Sequence, residues 1–149
     1  MAKGYIKTPM GVLAIEASDE GVTSLTWTKS EGKTEKHPII AQAVNELSGY
    51  FAGKLKEFDV PLDIEGTAFQ CKVWAAMGDV PYGKTVTYGA LAKKLKTSAR
   101  AVGGACGANP VPVIVPCHRI VGSDNKLTGY SGGSGVKTKQ ALLKLEQSQ

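Results

Sequence analysis

The chain has 149 residues, 42% of them hydrophobic, enough for a real core in one ordinary domain or two small ones. Three cysteines (Cys71, Cys106, Cys117) without CxxC spacing and two histidines (His37, His118) give no support for a zinc site, and the N-terminal MAKGYIKTPMG has no apolar leader, so a reduced, cytoplasmic protein without metal or membrane span is expected. The net charge of +5 hides an asymmetry: residues 1–65 carry seven lysines against ten acids, whereas residues 66–149 carry eleven Lys plus Arg against three acids, Asp79, Asp124 and Glu146. A basic half of that kind points to a polyanion partner, most simply nucleic acid.

In chain order, residues 4–17 read as two strands turning at Pro9-Met10-Gly11, and residues 21–29 alternate as a third. Ser30 to Lys36 is a polar connection. Pro38 to Phe51 spaces Ile40, Val44, Leu47 and Phe51 at helical period, with Gly53 as a stop. Phe58 to Ile64 alternates again as a strand. Residues 1–65 thus form a small α/β domain. From residue 66 the character changes. Thr67 to Met77 predicts a helix with Phe69, Val73, Trp74 and Met77 on one face, and Val80 to Lys84 a turn. Thr87 to Leu95 predicts a second helix, broken at Thr97-Ser98, and Ser98 caps a third over Ala99 to Ala108. Helix, short turn and helix make a helix-turn-helix, which places its second helix against DNA. Val136 to Glu146 predicts a C-terminal amphipathic helix with Leu142, Leu143 and Leu145.

The second helix of that pair contains Gly103, Gly104 and Gly107 among alanines. Each interior glycine costs about 1 kcal/mol relative to alanine, so the glycines serve something other than helix stability. A helix without side-chain bulk either packs closely inside the domain or lies against a partner's backbone. The basic setting favours nucleic acid, tracked along its backbone or minor groove through Ala101, Gly103 and Gly104. Arg100 is the helix's long side chain, in its first turn.

The chemistry sits after the apolar run Val111 to Val115, read as a buried strand-like segment, in Pro116-Cys117-His118-Arg119. Cysteine is a strong nucleophile only as thiolate, and neighbouring His and Arg are where the thiolate fraction rises. Side chains of adjacent residues usually point different ways, which disfavours direct Cys117-to-His118 transfer; a bridging water can connect them. His118 then needs a group to fix its tautomer, and Glu146 is the acid available downstream of Asp124. Gly129-Tyr130-Ser131-Gly132-Gly133 is a glycine-rich loop.

RAVGGA at 100–105, NPVP at 109–112, PCHR at 116–119, GYSGG at 129–133 and the helix opening with VK at 136–137 together resemble the O6-alkylguanine-DNA alkyltransferase family. The motifs follow the family's order and spacing and cover residues 67–146. The resemblance implies an RNase H-like α/β N-terminal domain (1–65) and a helical, winged-helix-like domain with a helix-turn-helix (66–149). It implies a monomer that flips O6-alkylguanine out of double-stranded DNA from the minor groove; tolerance for O4-alkylthymine is not written in the sequence. The alkyl group passes irreversibly to the protein's own cysteine, with no cofactor.

Residue by residue, Cys117 matches the acceptor, and His118 and Glu146 the water-linked base and its carboxylate. Asn109 matches the tie between recognition helix and active-site loop. Tyr88 matches the tyrosine that crowds the target phosphate and donates to the purine. Arg100 matches the arginine that fills the vacated stack. Tyr130 and Ser131, with Val115 and Pro116, match the base pocket, and Lys137 a lysine near it. The chain lacks the cysteines and histidines with which some members bind zinc. Two other readings are a damage sensor without acceptor chemistry, against which Cys117 argues, and a helix-turn-helix regulator, which leaves NPVP and PCHR without a purpose.

Overall fold

The computed structural model describes residues 1–127 and 135–148, and the chain divides into two compact units, Met1–Glu65 and Gly66–Gln149. In the first unit, β1 (Ala2–Thr8), β2 (Gly11–Ala17) and β3 (Val22–Thr28) form an antiparallel sheet in sequential order. Gly11 closes the β1–β2 hairpin at φ 124°, a conformation that L side chains avoid, and Thr8 Oγ1 locks the turn by accepting from Met10 N at 3.0 Å. The register pairs Ile6 with Leu13 and Gly4 with Ile15. This puts Ile6, Leu13, Ile15 and Leu25 on one face, packed against α1 (Pro38–Phe51). A Cβ on Gly4 would stand 2.5 Å from the Ile40 side chain, so glycine is what lets α1 approach the sheet.

Two expectations shift in this unit. The buried face of α1 is Ile40, Ala43, Leu47 and Tyr50, while Val44 and Phe51 flank it; Phe51 instead packs edge-on against Tyr50 and Trp27. Phe58 to Ile64 is not a full strand but a single parallel bridge, Val22 with Leu62. Val22 N donates to Pro61 O at 2.9 Å and Asp63 N returns to Val22 O at 2.8 Å, but Pro61, without an N–H, cannot carry the ladder back toward Phe58.

The second unit is built from helices. α2 (Ala68–Gly78) starts in a capping box in which Thr67 and Gln70 satisfy each other's backbone N–H groups. It buries Val73, Trp74 and Met77, and Trp74 Nε1 donates to the Ala105 carbonyl at 2.8 Å. β4 (Val86–Thr87) leads straight into α3 (Tyr88–Leu95), whose first turn is capped by Thr87. Lys96 then adopts the left-handed conformation (φ 57°), and Thr97 N donates to Ala92 O at 2.9 Å. This Schellman stop lets Ser98 cap α4 (Ala99–Gly107) at once. The tight turn sets α3 and α4 as a helix-turn-helix. β5 (Ile120–Val121) pairs in parallel with β4, and α5 (Val136–Gln147) buries Thr138, Lys139, Leu142, Leu143 and Glu146. No helix among the described residues is long and apolar enough to cross a membrane.

Candidate active site

The segment between α4 and β5 carries the site. Val111 to Val115 is apolar and mostly buried, yet it forms no strand: Val113 sits at φ 76° and the run folds back on itself, Val115 N donating to Val111 O at 3.0 Å. A β-branched residue rarely takes a positive φ, so this loop is held in place by its surroundings. Asn109 does much of the holding. Its Nδ2 donates to Val115 O at 2.8 Å, and its Oδ1 accepts from Val111 N at 2.9 Å. Pro116 then turns sharply, so that Cys117 N donates back to Val115 O at 2.8 Å. Cys117, His118 and Arg119 form one 3₁₀ turn, all buried.

Cys117 is 8% exposed. Burial pushes its thiol pKa up; a hydrogen bond from the Asn109 side chain and the charge of Lys139 pull the other way without overcoming it. The thiol therefore rests protonated, and the expected gain of thiolate from its sequence neighbours is not found. Arg119 is turned elsewhere. Its Nε and Nη2 donate to Glu146 at 2.9 and 3.0 Å, and its Nη1 to the Val80 carbonyl at 2.7 Å.

His118 is fully buried, and its Nε2 donates to Glu146 Oε2 at 2.6 Å. Burial lowers its pKa, with Glu146 opposing, so the ring is neutral. With Nε2 carrying the proton, Nδ1 is the basic atom, and it has no hydrogen-bond partner among the described protein groups. Glu146 is 2% exposed, and its Oε1 also accepts from Gly83 N at 3.3 Å.

Tyr88, first residue of α3, is half-buried, and burial followed by the nearby Cys106 and Cys117 raises its hydroxyl pKa to about 12. It is a neutral donor at physiological pH. With Gly89, Ala99, Arg100, Gly103, Gly122 and Ser123 it lines an open cleft of about 520 Å³. Arg100 is exposed there. A Cβ added to Gly89, Gly103, Gly104 or Gly107 would meet nothing within 4 Å. Internal packing thus does not require these glycines.

Lys137 is exposed at the start of α5; the lysine that the fold brings to Tyr88 is Lys139, its Nζ 5.5 Å from the ring centroid. Lys139 is fully buried and interacts electrostatically with Cys117 and Cys106, its pKa lowered chiefly by burial. Motif spacing alone points two residues short. The helical phase of α5, with Leu142 and Leu143 buried, marks 139 as inward-facing. Tyr130 and Ser131 lie outside the described residues. Among the described residues, no three His, Cys, Asp or Glu side chains gather as a metal site.

Comparison with known proteins bears on this arrangement. The family model described as 6-O-methylguanine DNA methyltransferase, DNA binding domain, matches residues 68–148, and its ribonuclease-like domain matches residues 1–64. A methylated-DNA–protein-cysteine methyltransferase of Mycolicibacterium paratuberculosis is 44% identical over 95% of this chain and 90% of its own length. One from Methanosarcina acetivorans is 42% identical over 99% of both. The crystal structure of the Mycobacterium tuberculosis O6-methylguanine methyltransferase superposes with a TM-score of 0.87 at 42% identity, covering 99% of this chain and 93% of that one. The same organism's OGT in complex with DNA gives 0.89 at 43% identity, covering 99% and 94%. With both its α/β N-terminal half and its helical C-terminal half matched, the chain belongs to the 6-O-methylguanine DNA methyltransferase family.

Proposed function

We propose that this protein repairs DNA by direct reversal, binding duplex DNA, flipping out O6-alkylguanine and moving the alkyl group to Cys117. The observation that carries the reading is the line Cys117, His118, Glu146: a buried thiol followed by a neutral imidazole whose Nδ1 has no partner among the described residues and a carboxylate fixing its other nitrogen. A water bridges Sγ to Nδ1. As the thiol proton passes through it to His118, the sulfur attacks the alkyl carbon and the C–O6 bond breaks. Its electron pair stays on the guanine oxygen, and a proton returns to the base as it leaves. The net change is a thioether on Cys117 and a hydrogen on guanine, so no cofactor enters. Tyr88, neutral and at the cleft, donates a hydrogen bond to the purine as charge develops. Nothing recharges the thioether, and one turnover per molecule follows.

The open glycine face of α4 supports a DNA contact through Ala101, Gly103 and Gly104, with bare backbone set in the minor groove. Arg100 enters the stack where the nucleotide leaves. Val115 and Pro116 line the base pocket, and Lys139 rather than Lys137 is the lysine beside it. The protein acts as a monomer in the cytoplasm.

The test is intact mass spectrometry after mixing with a duplex carrying one O6-methylguanine, then peptide mapping. The expected result is one added methylene mass on the Cys117 peptide, stopping at one per molecule. Tight lesion binding without mass gain would favour a damage sensor, and no binding would remove the assignment.

A further inference from the structure

Arg119 is charged, almost wholly buried and turned toward Glu146 rather than the acceptor, so the alkyl transfer leaves it unexplained. Its partners are specific. Two of its nitrogens hold Glu146 as a fork, the third holds the Val80 carbonyl, and its Cζ lies 5.7 Å above the Tyr82 ring. Glu146 in turn accepts from Arg119 twice, from His118 Nε2 and from Gly83 N. A buried carboxylate with only an imidazole beside it would draw a proton onto the ring and hold it there as imidazolium. Such a ring accepts no proton from a thiol. Matching the carboxylate with a guanidinium removes that pull and pins the carboxylate plane, while leaving the hydrogen bond that selects the tautomer.

We propose that Arg119 is a positioning residue for the alkyl transfer, its guanidinium orienting and neutralising Glu146 so that His118 stays an uncharged acceptor behind Cys117. The proposal rests on the transfer reading above. Among the described residues, the charged and titratable groups facing His118 are Glu146 and Lys139 on α5 and Cys117 and Arg119 on its own turn, with Tyr82, in the turn before β4, against Arg119 and Glu146. Lys139 repels a proton from the ring through its own charge. Arg119 does the same more strongly through its own charge, and it also grips the carboxylate.

The experiment follows the His118 ring by nitrogen-15 NMR against pH in the full-length protein, with His37→Gln used to assign the two histidines. In the parent protein His118 should be uncharged with its proton on Nε2 at pH 7. In Arg119→Met its titration midpoint should rise by about one unit or more. The acid limb of the alkylation rate should move with it, a loss of about tenfold at a pH on that limb. Arg119→Lys, which keeps the charge and loses the fork, is the second variant, since a methionine leaves Glu146 short of partners and endangers folding. There the midpoint should stay near the parent's while the rate plateau falls severalfold. A charged His118 at pH 7 in the parent overturns the proposal. So does an unmoved midpoint in folded Arg119→Met, or a lysine variant indistinguishable from the parent in rate. Failure of the parent to alkylate would instead strike the transfer reading, because the NMR midpoint needs no substrate.

Discussion

The thiol at Cys117 is a poor nucleophile at rest, since burial raises its pKa. The proposed transfer therefore depends on a base that is itself deprotonated, and burial favours that too by lowering the His118 pKa. The two shifts run in opposite directions and have one consequence: both partners start neutral, and in the proposed transfer the proton moves only when the alkyl group does. His118→Gln should slow alkylation at neutral pH by about a hundredfold or more. Because hydroxide can replace the lost base, part of the rate should return as pH rises; a loss that is flat from neutral to alkaline pH would argue against a base role. Arg100→Ala should slow repair of a duplex by about tenfold or more, since unstacking costs a few kcal/mol. Alkylation from free O6-alkylguanine, which needs no flipping, should suffer less, and equal losses on both substrates would remove the finger role.

At the scale of elements, α4 shows the clearest trade between stability and use. Its N-terminus is capped by Ser98 and its inner face anchored by Val102, Ala105 and Cys106. Its glycines face open space. Gly104→Ala should therefore raise thermal stability, by up to about 1 kcal/mol, because alanine is the better helix former. The same change should weaken duplex binding severalfold, because the added methyl stands on the bare face. A rise in stability with unchanged DNA affinity, measured by melting and fluorescence anisotropy, would show that the face does not meet DNA. The elements themselves were largely legible in the sequence. Strong period-2 and period-3.6 patterns, with the cap at Ser98, marked the strands and helices; the caps at Thr67 and Thr87 emerged only from the structure. Two segments misled: Pro61 cut short the expected Phe58 to Ile64 strand, and Val111 to Val115 reads as a buried strand because burial alone produces an apolar run.

For the whole molecule, pH enters through linkage. A buried histidine with a lowered pKa binds fewer protons folded than unfolded, so its contribution is fully present above the unfolded value near 6.5 and is lost as pH falls toward the folded one. The melting temperature should drop on acidification below about pH 6.5, and His118→Gln should flatten that slope; an identical slope in the variant would assign the acid sensitivity to other groups.

Some of this protein's properties are local and so written in the chain. PCHR, NPVP, RAVGGA and the charge difference between the two halves identify the chemistry and the polyanion partner. Period and capping identify the elements, because each depends on residues within one or two turns. Other properties depend on groups far apart in sequence. Glu146 meets His118 across 28 residues, and Arg119 meets Val80 across 39. Whether Arg119 turns to the thiol or the carboxylate, whether the thiol rests ionised, and whether Lys137 or Lys139 faces inward all turn on burial and helical phase. Burial is a property of the packed chain: desolvation sets the pKa of Cys117 and His118, and it appears only when distant segments close around them.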